Sequence, residues 1–124
     1  MDSREAERSV EHPLLGDVTL ARAFEASARR HADRVAQRYK GGVYDRSLVE
    51  AEVLPAAPDG DYADLTYAEM RRLVRRLAAG FRDLGLAPGD RVGIFAHTRM
   101  EWAGTDFAAL AAGAAVTTLY PAAS

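Results

Sequence analysis

The sequence contains no cysteine and only one lysine, Lys40, beside fifteen arginines. The absence of cysteine excludes disulfide bonds and thiolate chemistry, and it leaves the redox compartment open. No apolar run approaches the ~20 residues that a membrane-spanning helix needs. The N-terminal residues MDSREAERSVEH are charged and lack an apolar stretch, so they do not form a secretory signal. These absences lead us to expect a cytoplasmic protein without a transmembrane segment.

The composition is typical of a globular protein. At 124 residues the chain has room for a single domain, and its hydrophobic content of 48% is ordinary for one. The acidic residues slightly outnumber the basic ones, and the formal net charge is −2. A chain with this charge has no general attraction to nucleic acids or to anionic membranes. We therefore expect no nucleic-acid partner.

The N-terminal part of the sequence predicts a polar segment followed by a helix. Residues 1–18 form a polar lead-in, and the hydroxyl of Thr19 can cap a helix over residues 20–33. Three apolar residues recur along this helix at four-residue spacing and predict a narrow buried stripe: Leu20, Phe24 and Ala28.

A β-hairpin and a loop are predicted next. Residues Val35–Tyr39 alternate between apolar and polar side chains, which is typical of a half-buried strand. The pair Gly41–Gly42 can supply the positive φ angles of a tight turn, so the second strand is expected over 43–49. The segment 49–63 contains two prolines and an Asp-Gly pair, and it is predicted to be a surface loop.

The second half of the sequence carries stronger signals, beginning with a long amphipathic helix. Thr66 and Glu69 form a T-x-x-E capping box, in which each side chain accepts a hydrogen bond from the other residue's backbone N–H. Gly85 is expected to end this helix. A wide apolar face is predicted from residues at three- and four-residue spacing: Met70, Leu73, Val74, Leu77, Ala78, Phe81 and Leu84.

Two further strands are predicted with a helix between them. The turn Pro88–Asp90 precedes the short apolar run Arg91–Phe95, which fits a buried strand. A helix is predicted over 99–112, and the β-branched run 114–120 follows it as a second strand. Two buried strands joined by a helix form a βαβ unit, and such strands are parallel. The predicted fold class is therefore α/β, without an internal repeat.

The ends and the interior of this second helix are also readable. Thr98 and Glu101 have the spacing of another capping box, and Gly113 is expected to end the helix. The helix is hydrophobic on nearly all sides and contains Trp102 and Phe107. Because such helices are usually buried between other elements, we interpret both aromatic residues as core rather than as acyl-binding residues.

The turn Ala96–Thr98 is a candidate position for catalysis or ligand binding. His97 follows a predicted strand, and ligands of open α/β sheets bind at the carboxyl ends of strands. Neither His12 nor His31 has metal-ligand spacing to it, and no partner acid or nucleophile is evident. Phosphate binding would need a glycine-rich turn, which is missing here. We interpret His97 as a structural residue of a strand-to-helix turn.

The run RRLVRR at 71–76 admits two interpretations. Four arginines on one helix surface could bind nucleic acid or anionic lipid. The acidic flanks Glu69 and Asp83, the acidic net charge and the lack of a neighbouring aromatic platform argue against that function. We favour a solvated face opposite the apolar stripe of the helix.

Two segments of the second half resemble a known enzyme family. LTYAEM at 65–70 resembles the first core motif of AMP-forming adenylating enzymes, L-T/S-Y-x-E-L, and LAAGAAVTTLYP at 110–121 resembles their second. LGLAPGDRVGIFAHTRMEW at 84–102 is similar to the passage between those motifs. The piece HTRMEW is most similar to long-chain acyl-CoA synthetases. The resemblance covers residues 19–124, which we expect to be part of an AMP-binding domain with an insertion at 49–63.

The resemblance implies an ATP-dependent ligase. Enzymes of this family join a carboxylate to AMP with release of pyrophosphate, and then transfer the acyl group to a thiol, usually that of coenzyme A. Mg²⁺ accompanies the ATP. The family's phosphate-gripping loop, its ribose-binding aspartate and its catalytic lysine all lie later in the family sequence and have no counterpart here. We therefore expect no catalytic, cofactor-binding or metal-binding residue in this chain, and no cofactor for the chain alone.

Three functional hypotheses follow from these observations. The first is that the chain is the N-terminal fragment of a long-chain fatty acid–CoA ligase, inactive without the remainder of the enzyme, which would be its partner. The second is a stand-alone α/β interaction module that docks on a partner through an exposed sheet edge. The third, an arginine-rich nucleic-acid binder, is the least supported. Acyl-chain preference, thiol acceptor and oligomeric state are not readable from the sequence.

Overall fold

The structure, a computed structural model, describes residues 11–12, 16–42 and 56–122. Within them the chain forms three helices and three two-stranded sheets, which confirms the α/β class. The helices are α1 (Leu20–Arg30), α2 (Tyr67–Asp83) and α3 (Met100–Ala111). The strands are β1 (Glu11–His12), β2 (Gly16–Asp17), β3 (Val35–Lys40), β4 (Tyr62–Thr66), β5 (Arg91–Phe95) and β6 (Ala115–Leu119). The strands β1 and β2 are antiparallel, as are β3 and β4, whereas β5 and β6 are parallel.

Helix α1 begins where the sequence predicts it and ends earlier. The Thr19 hydroxyl accepts a hydrogen bond from the Arg22 backbone N–H at 3.3 Å, which confirms the cap. The helix stops at Arg30 because the next residues form a turn, in which the Arg34 N–H donates to the His31 carbonyl. Phe24 and Ala28 are buried as predicted, but Leu20 is 69% exposed, so the predicted stripe is wrong at its first residue.

Strand β3 pairs with β4, and this pairing revises the predicted loop. The register runs from Val35 opposite Thr66 to Lys40 opposite Tyr62. The sequence places Tyr62 and its neighbour at the end of the loop 49–63, and this is wrong because both belong to β4. The strand has only five residues between a turn and a helix cap, so its alternation is too short to stand out. The predicted hairpin strand 43–49 lies outside the described residues.

Helix α2 agrees closely with its sequence signals. The Thr66 N–H donates to Oε2 of Glu69 at 2.8 Å, and the Glu69 N–H donates to Oγ1 of Thr66 at 3.2 Å, which confirms the capping box. The predicted apolar face is buried or half-buried over its first six members. Leu84 is 87% exposed, contrary to prediction, because it is the C-cap residue and lies beyond the last buried turn.

The βαβ unit is confirmed as β5–α3–β6, with Arg91 opposite Ala115 and Phe95 opposite Leu119. The second capping box is wrong. The N-cap residue is Arg99, which has an extended backbone and makes no side-chain capping bond. Glu101 is therefore only the second residue of the helix, one position short of a capping box, and it accepts a hydrogen bond from the Arg99 guanidinium at 3.3 Å.

Both long helices end as the glycines predict. At the end of α3 the Gly113 N–H donates to the Leu110 carbonyl and the Ala114 N–H donates to the Ala109 carbonyl. This is the Schellman arrangement, which needs a residue with positive φ, and Gly113 has φ of 88°. Gly85 ends α2 in the same way with φ of 97°.

The hydrophobic core lies between the helices and β3–β4. Residues from α1, α2 and α3 meet there with Tyr39 and Leu65 from the antiparallel strands. The rings of Phe24 and Phe107 stack at 4.4 Å between α1 and α3, which places Phe107 in the core as predicted. The parallel strands contribute less. Of Arg91–Phe95, predicted to be a buried strand, only Ile94 is buried, because the face of the strand opposite α3 is uncovered within the described residues.

Candidate functional site

A cleft lies at the carboxyl ends of the two parallel strands. It has a volume of about 340 Å³ and opens where β5 leads into α3 and where β6 ends. Because parallel strands end at the same edge of a sheet, the fold brings together turns that are about 20 residues apart in the sequence. The lining consists of Ala96, His97, Thr98, Trp102, Thr118, Leu119, Tyr120, Pro121 and Ala122.

The polar groups of this cleft do not form a recognisable catalytic set. His97, Thr118 and Tyr120 line it with exposed side chains, but none of the three makes a hydrogen bond or ion pair within the described residues. The lining contains no lysine, arginine, aspartate or glutamate. A general base needs hydrogen-bond contact with the group it activates, and no such contact connects His97 to a hydroxyl. The interpretation of His97 as a turn residue stays a prediction.

The same lining contains no lysine or arginine side chain for the phosphates of ATP and no carboxylate for Mg²⁺. Phosphate groups need cations or free backbone N–H groups, and Mg²⁺ needs carboxylates. At the start of α3, Glu101 already places a negative charge at the positive end of the helix dipole. Throughout the described residues there is no group of three or more His, Asp or Glu side chains that could hold a metal ion. We derive no nucleotide chemistry from this cleft.

Trp102 is not among the residues of the hydrophobic core within the described residues, so its predicted core position is wrong, whereas Phe107 packs against that core. The Trp102 side chain is half-buried and lines the cleft, whereas Phe107 packs against Phe24 on the opposite side of α3. The spectroscopic environment of Trp102, the only tryptophan in the sequence, therefore reports on the cleft.

The arginine run of α2 is partly engaged with α1. Arg71 donates to Oε1 of Glu25 from Nε at 2.7 Å and approaches it from Nη2 at 2.6 Å. Arg29 and Arg75 also contact this carboxylate, at 3.1 and 3.9 Å. The hydrogen bond from Arg71 holds the pKa of Glu25 below its ordinary value. The predicted solvated face is thus correct for Arg72 and Arg76, which are exposed, but Arg71 joins two helices.

One acidic residue of α3 lacks such a partner. Asp106 is half-buried and makes no hydrogen bond or ion pair within the part of the chain that the structure describes. Burial raises the pKa of its carboxyl above the ordinary value, because water that would stabilise the charge is excluded. Sequence reasoning missed this residue, since a single acid in a mostly apolar helix gives no motif.

Sequence reasoning also missed a groove beside α1. It has a volume of about 710 Å³ and is formed by α1, the start of β3, the start of α2 and the middle of α3. It shares no lining residue with the cleft. Its walls come from residues more than eighty positions apart, so no local pattern in the sequence could reveal it.

Comparisons with known proteins identify relatives of this chain. Residues 24–124 match the sequence profile of the AMP-binding enzyme family. Over 66 residues the chain is 47% identical to "Long-chain-fatty-acid–CoA ligase FadD15" of Mycobacterium bovis, covering 53% of this chain and 11% of that protein. Over 109 residues it is 30% identical to "Surfactin synthase subunit 1" of Bacillus subtilis, covering 88% of this chain and 2% of that protein.

The fold has counterparts among solved structures. The N-terminal subdomain of NpsA from Klebsiella oxytoca superimposes with a TM-score of 0.65 and 21% identity, covering 85% of this chain and 22% of that one. Within the described residues no helix is long and apolar enough to cross a membrane. The chain spans about a tenth or less of the length of the curated relatives described above. The profile match extends over most of the chain, and the protein belongs to the AMP-binding enzyme family.

Proposed function

We propose that this chain is the N-terminal scaffold portion of an ATP-dependent long-chain fatty acid–CoA ligase. The observation that carries the proposal is its 47% identity over 66 residues to a protein named as a long-chain fatty acid–CoA ligase. The complete enzyme would adenylate a fatty acid with ATP and Mg²⁺ and then form the thioester with coenzyme A. The remainder of that enzyme would be the partner of this chain, in the cytoplasm.

The residues that carry the family resemblance have structural roles here. Thr66 and Glu69 of the first motif cap α2 through two hydrogen bonds. Gly113 of the second motif ends α3 and lies against Pro88, so that an added Cβ would come within 3.1 Å of the proline Cβ. These roles support a scaffold, and the cleft is lined by no lysine, arginine, aspartate or glutamate side chain for ATP and Mg²⁺. We therefore propose that the chain is inactive alone.

A pyrophosphate-release assay tests this proposal. The purified chain is incubated with ATP, Mg²⁺ and palmitate, and a complete family enzyme serves as the positive control. We expect no pyrophosphate from the chain at any palmitate concentration. Release that requires palmitate and saturates with ATP would show an adenylation site within the chain and would overturn the proposal of inactivity.

The second candidate function is a stand-alone interaction module. The observation that favours it is the exposed apolar surface at the edge of the parallel sheet, where Phe95, Leu119 and Tyr120 are 68%, 55% and 77% exposed. Parallel sheets are usually covered on both faces, so such a surface favours contact with another element. A partner protein could supply that element in place of the remainder of the enzyme.

Gel filtration combined with thermal unfolding discriminates between the two candidates. An independent module should elute as a monomer and melt cooperatively. A scaffold that needs the remainder of its enzyme should self-associate, because its exposed sheet has no cover. A cooperatively melting monomer would therefore favour the module.

A further inference from the structure

We propose that the groove beside α1 binds a fatty-acid anion, at a site separate from any adenylation site. The groove is lined along most of its length by apolar side chains and has cationic and hydroxyl groups at one end. This inference does not rest on the proposed ligase function, because it concerns binding to residues that the chain itself supplies.

The apolar part of the groove suits an aliphatic chain. Its floor is formed by the stacked rings of Phe24 and Phe107 together with the buried Met70. Alanines line much of the rest, and Leu20 lies exposed at the far end. A volume of about 710 Å³ falls within the range of ligand-binding cavities. The exposed position of Leu20, unexplained by the core, is accounted for if a ligand tail packs against it.

The polar end suits a carboxylate. Arg30, His31 and Tyr67 line the groove near the end of α1, and the His31 and Tyr67 rings lie 6.4 Å apart. Arg30 makes no ion pair within the described residues, unlike its neighbour Arg29, which pairs with Glu25. The lining contains no aspartate or glutamate that would repel an anion. Charge complementarity therefore favours a negatively charged head group here.

The length of α1 matches that of an extended acyl chain and sets the orientation of the proposed ligand. Leu20 and Arg30 are the first and last residues of α1 and are about 15 Å apart along the helix axis, from the rise of 1.5 Å per residue. A single unbranched chain with its carboxylate at Arg30 and its tail at Leu20 spans this length.

An unsatisfied amide in the lining supports an added ligand. Oε1 of Gln37 is buried and has no hydrogen-bond partner among the residues that the structure describes. A buried amide without a partner is destabilising. Oxygen and nitrogen of a glutamine amide exchange places by a half-turn of the side chain, after which the NH₂ group can donate to an acceptor such as a carboxylate oxygen.

Calorimetric titration of the full chain with dodecanoate, below its micelle concentration, tests the site. We expect saturable binding at one site, and much weaker binding of methyl dodecanoate, which has the same tail without the charge. Arg30→Gln should weaken dodecanoate binding about tenfold, since a hydrogen bond to a charged group contributes on that order. Arg22→Gln is the matched control on the same helix outside the lining, and it should leave the affinity unchanged.

Two further variants locate the bound tail. Ala23→Trp fills the groove and should abolish binding, whereas Phe95→Ser removes an apolar side chain from the other exposed surface and should not affect it. Circular dichroism confirms that each variant is folded. Failure of the folded wild-type chain to bind dodecanoate would overturn the proposal, as would equal binding of the methyl ester or loss of binding in Phe95→Ser with retention in Ala23→Trp. None of these outcomes depends on ATP or pyrophosphate.

Discussion

The helical region and the parallel-sheet region of this protein bury their apolar residues to very different degrees. Between α1, α2 and the antiparallel strands, the apolar faces meet in a continuous core that includes the 1% exposed Leu65. In β5 and β6 only Ile94 is buried, and Phe95 and Leu119 face outwards. The two regions share α3, which packs on α2 with one side and on β5 and β6 with the other.

The difference shows which part of the fold covers its own apolar faces. A two-stranded parallel sheet with one layer of helix has one covered face, whereas parallel sheets in globular proteins normally have two. Within the described residues the core is enclosed by helices and strands, whereas one face of the parallel sheet is uncovered. This matches the proposal of a scaffold whose remaining layers belong to another part of an AMP-binding enzyme.

The largest expected effect on stability comes from removing a core side chain in the helical region. Leu65→Ala should lower the free energy of unfolding by about 2–5 kcal/mol, because it removes a buried side chain and leaves a cavity. Phe95→Ala, in the parallel-sheet region, should change the free energy of unfolding by less than about 0.5 kcal/mol, because the ring is exposed in wild type. Urea denaturation of both variants measures the contrast. Equal losses would show that the sheet is packed in solution.

The two helix-ending glycines give the next comparison. Alanine at Gly85 or Gly113 must adopt a positive φ, which costs about 1–2 kcal/mol. At Gly113 the new Cβ would also lie 3.1 Å from Pro88, whereas at Gly85 nothing lies within 4 Å. We expect the Gly113→Ala variant to have the lower melting temperature of the two. The reverse order would mean that the Gly113–Pro88 contact is not maintained.

Capping gives a smaller effect and a sharp contrast between two similar motifs. Thr66→Ala should destabilise the protein by about 1 kcal/mol, because it removes the hydroxyl that accepts from the Glu69 N–H. Thr98→Ala should have almost no effect, since α3 begins one residue later with Arg99 as its N-cap. Thermal unfolding of both variants checks this. A loss at Thr98 as large as that at Thr66 would contradict the position of the α3 cap.

The smallest effects are those of pH on two carboxylates. Because Arg71 lowers the pKa of Glu25, the stability that this carboxylate contributes is present above its ordinary pKa of 4.5 and is lost as pH falls below that. Because burial raises the pKa of Asp106, its charge destabilises the fold at neutral pH, and stability is regained as pH falls towards the ordinary value.

Substitution separates the two contributions. Glu25→Gln should destabilise the protein at neutral pH by less than about 1 kcal/mol, since the pair is partly exposed. Asp106→Asn should instead stabilise it slightly at neutral pH, and neither variant should differ from wild type once both carboxyls are protonated. Denaturation midpoints at neutral and acidic pH measure these differences. A stabilising Glu25→Gln or a destabilising Asp106→Asn would contradict the assigned environments.

Local signals were predictable from the sequence, and their tertiary context was not. The caps at Thr19 and Thr66 and the glycine ends of α2 and α3 depend on residues a few positions apart, and all were predicted. The same capping spacing at Thr98 failed because the chain stays extended through Arg99. Strand β4 was missed because five residues are too few to show their period.

The candidate site shows the same contrast between local sequence signals, which were predictable, and tertiary contacts, which were not. The sequence placed His97 at a strand end, and the structure puts it in the cleft. The contact of Glu25 with Arg71 joins residues 46 positions apart and has no signature in either helix alone. The groove beside α1 is likewise assembled from separate elements, and its polar end at Arg30 resembled an ordinary solvated helix end.

The central claim, that this chain is a scaffold without a nucleotide site, is tested most directly by an ¹H–¹⁵N NMR titration with ATP and Mg²⁺. The amides of Thr98, Trp102 and Tyr120 report on the cleft, where a nucleotide site of an open α/β sheet would lie. We predict no saturable shift of these resonances. Saturable shifts centred on the cleft, induced by ATP and absent with Mg²⁺ alone, would contradict the account.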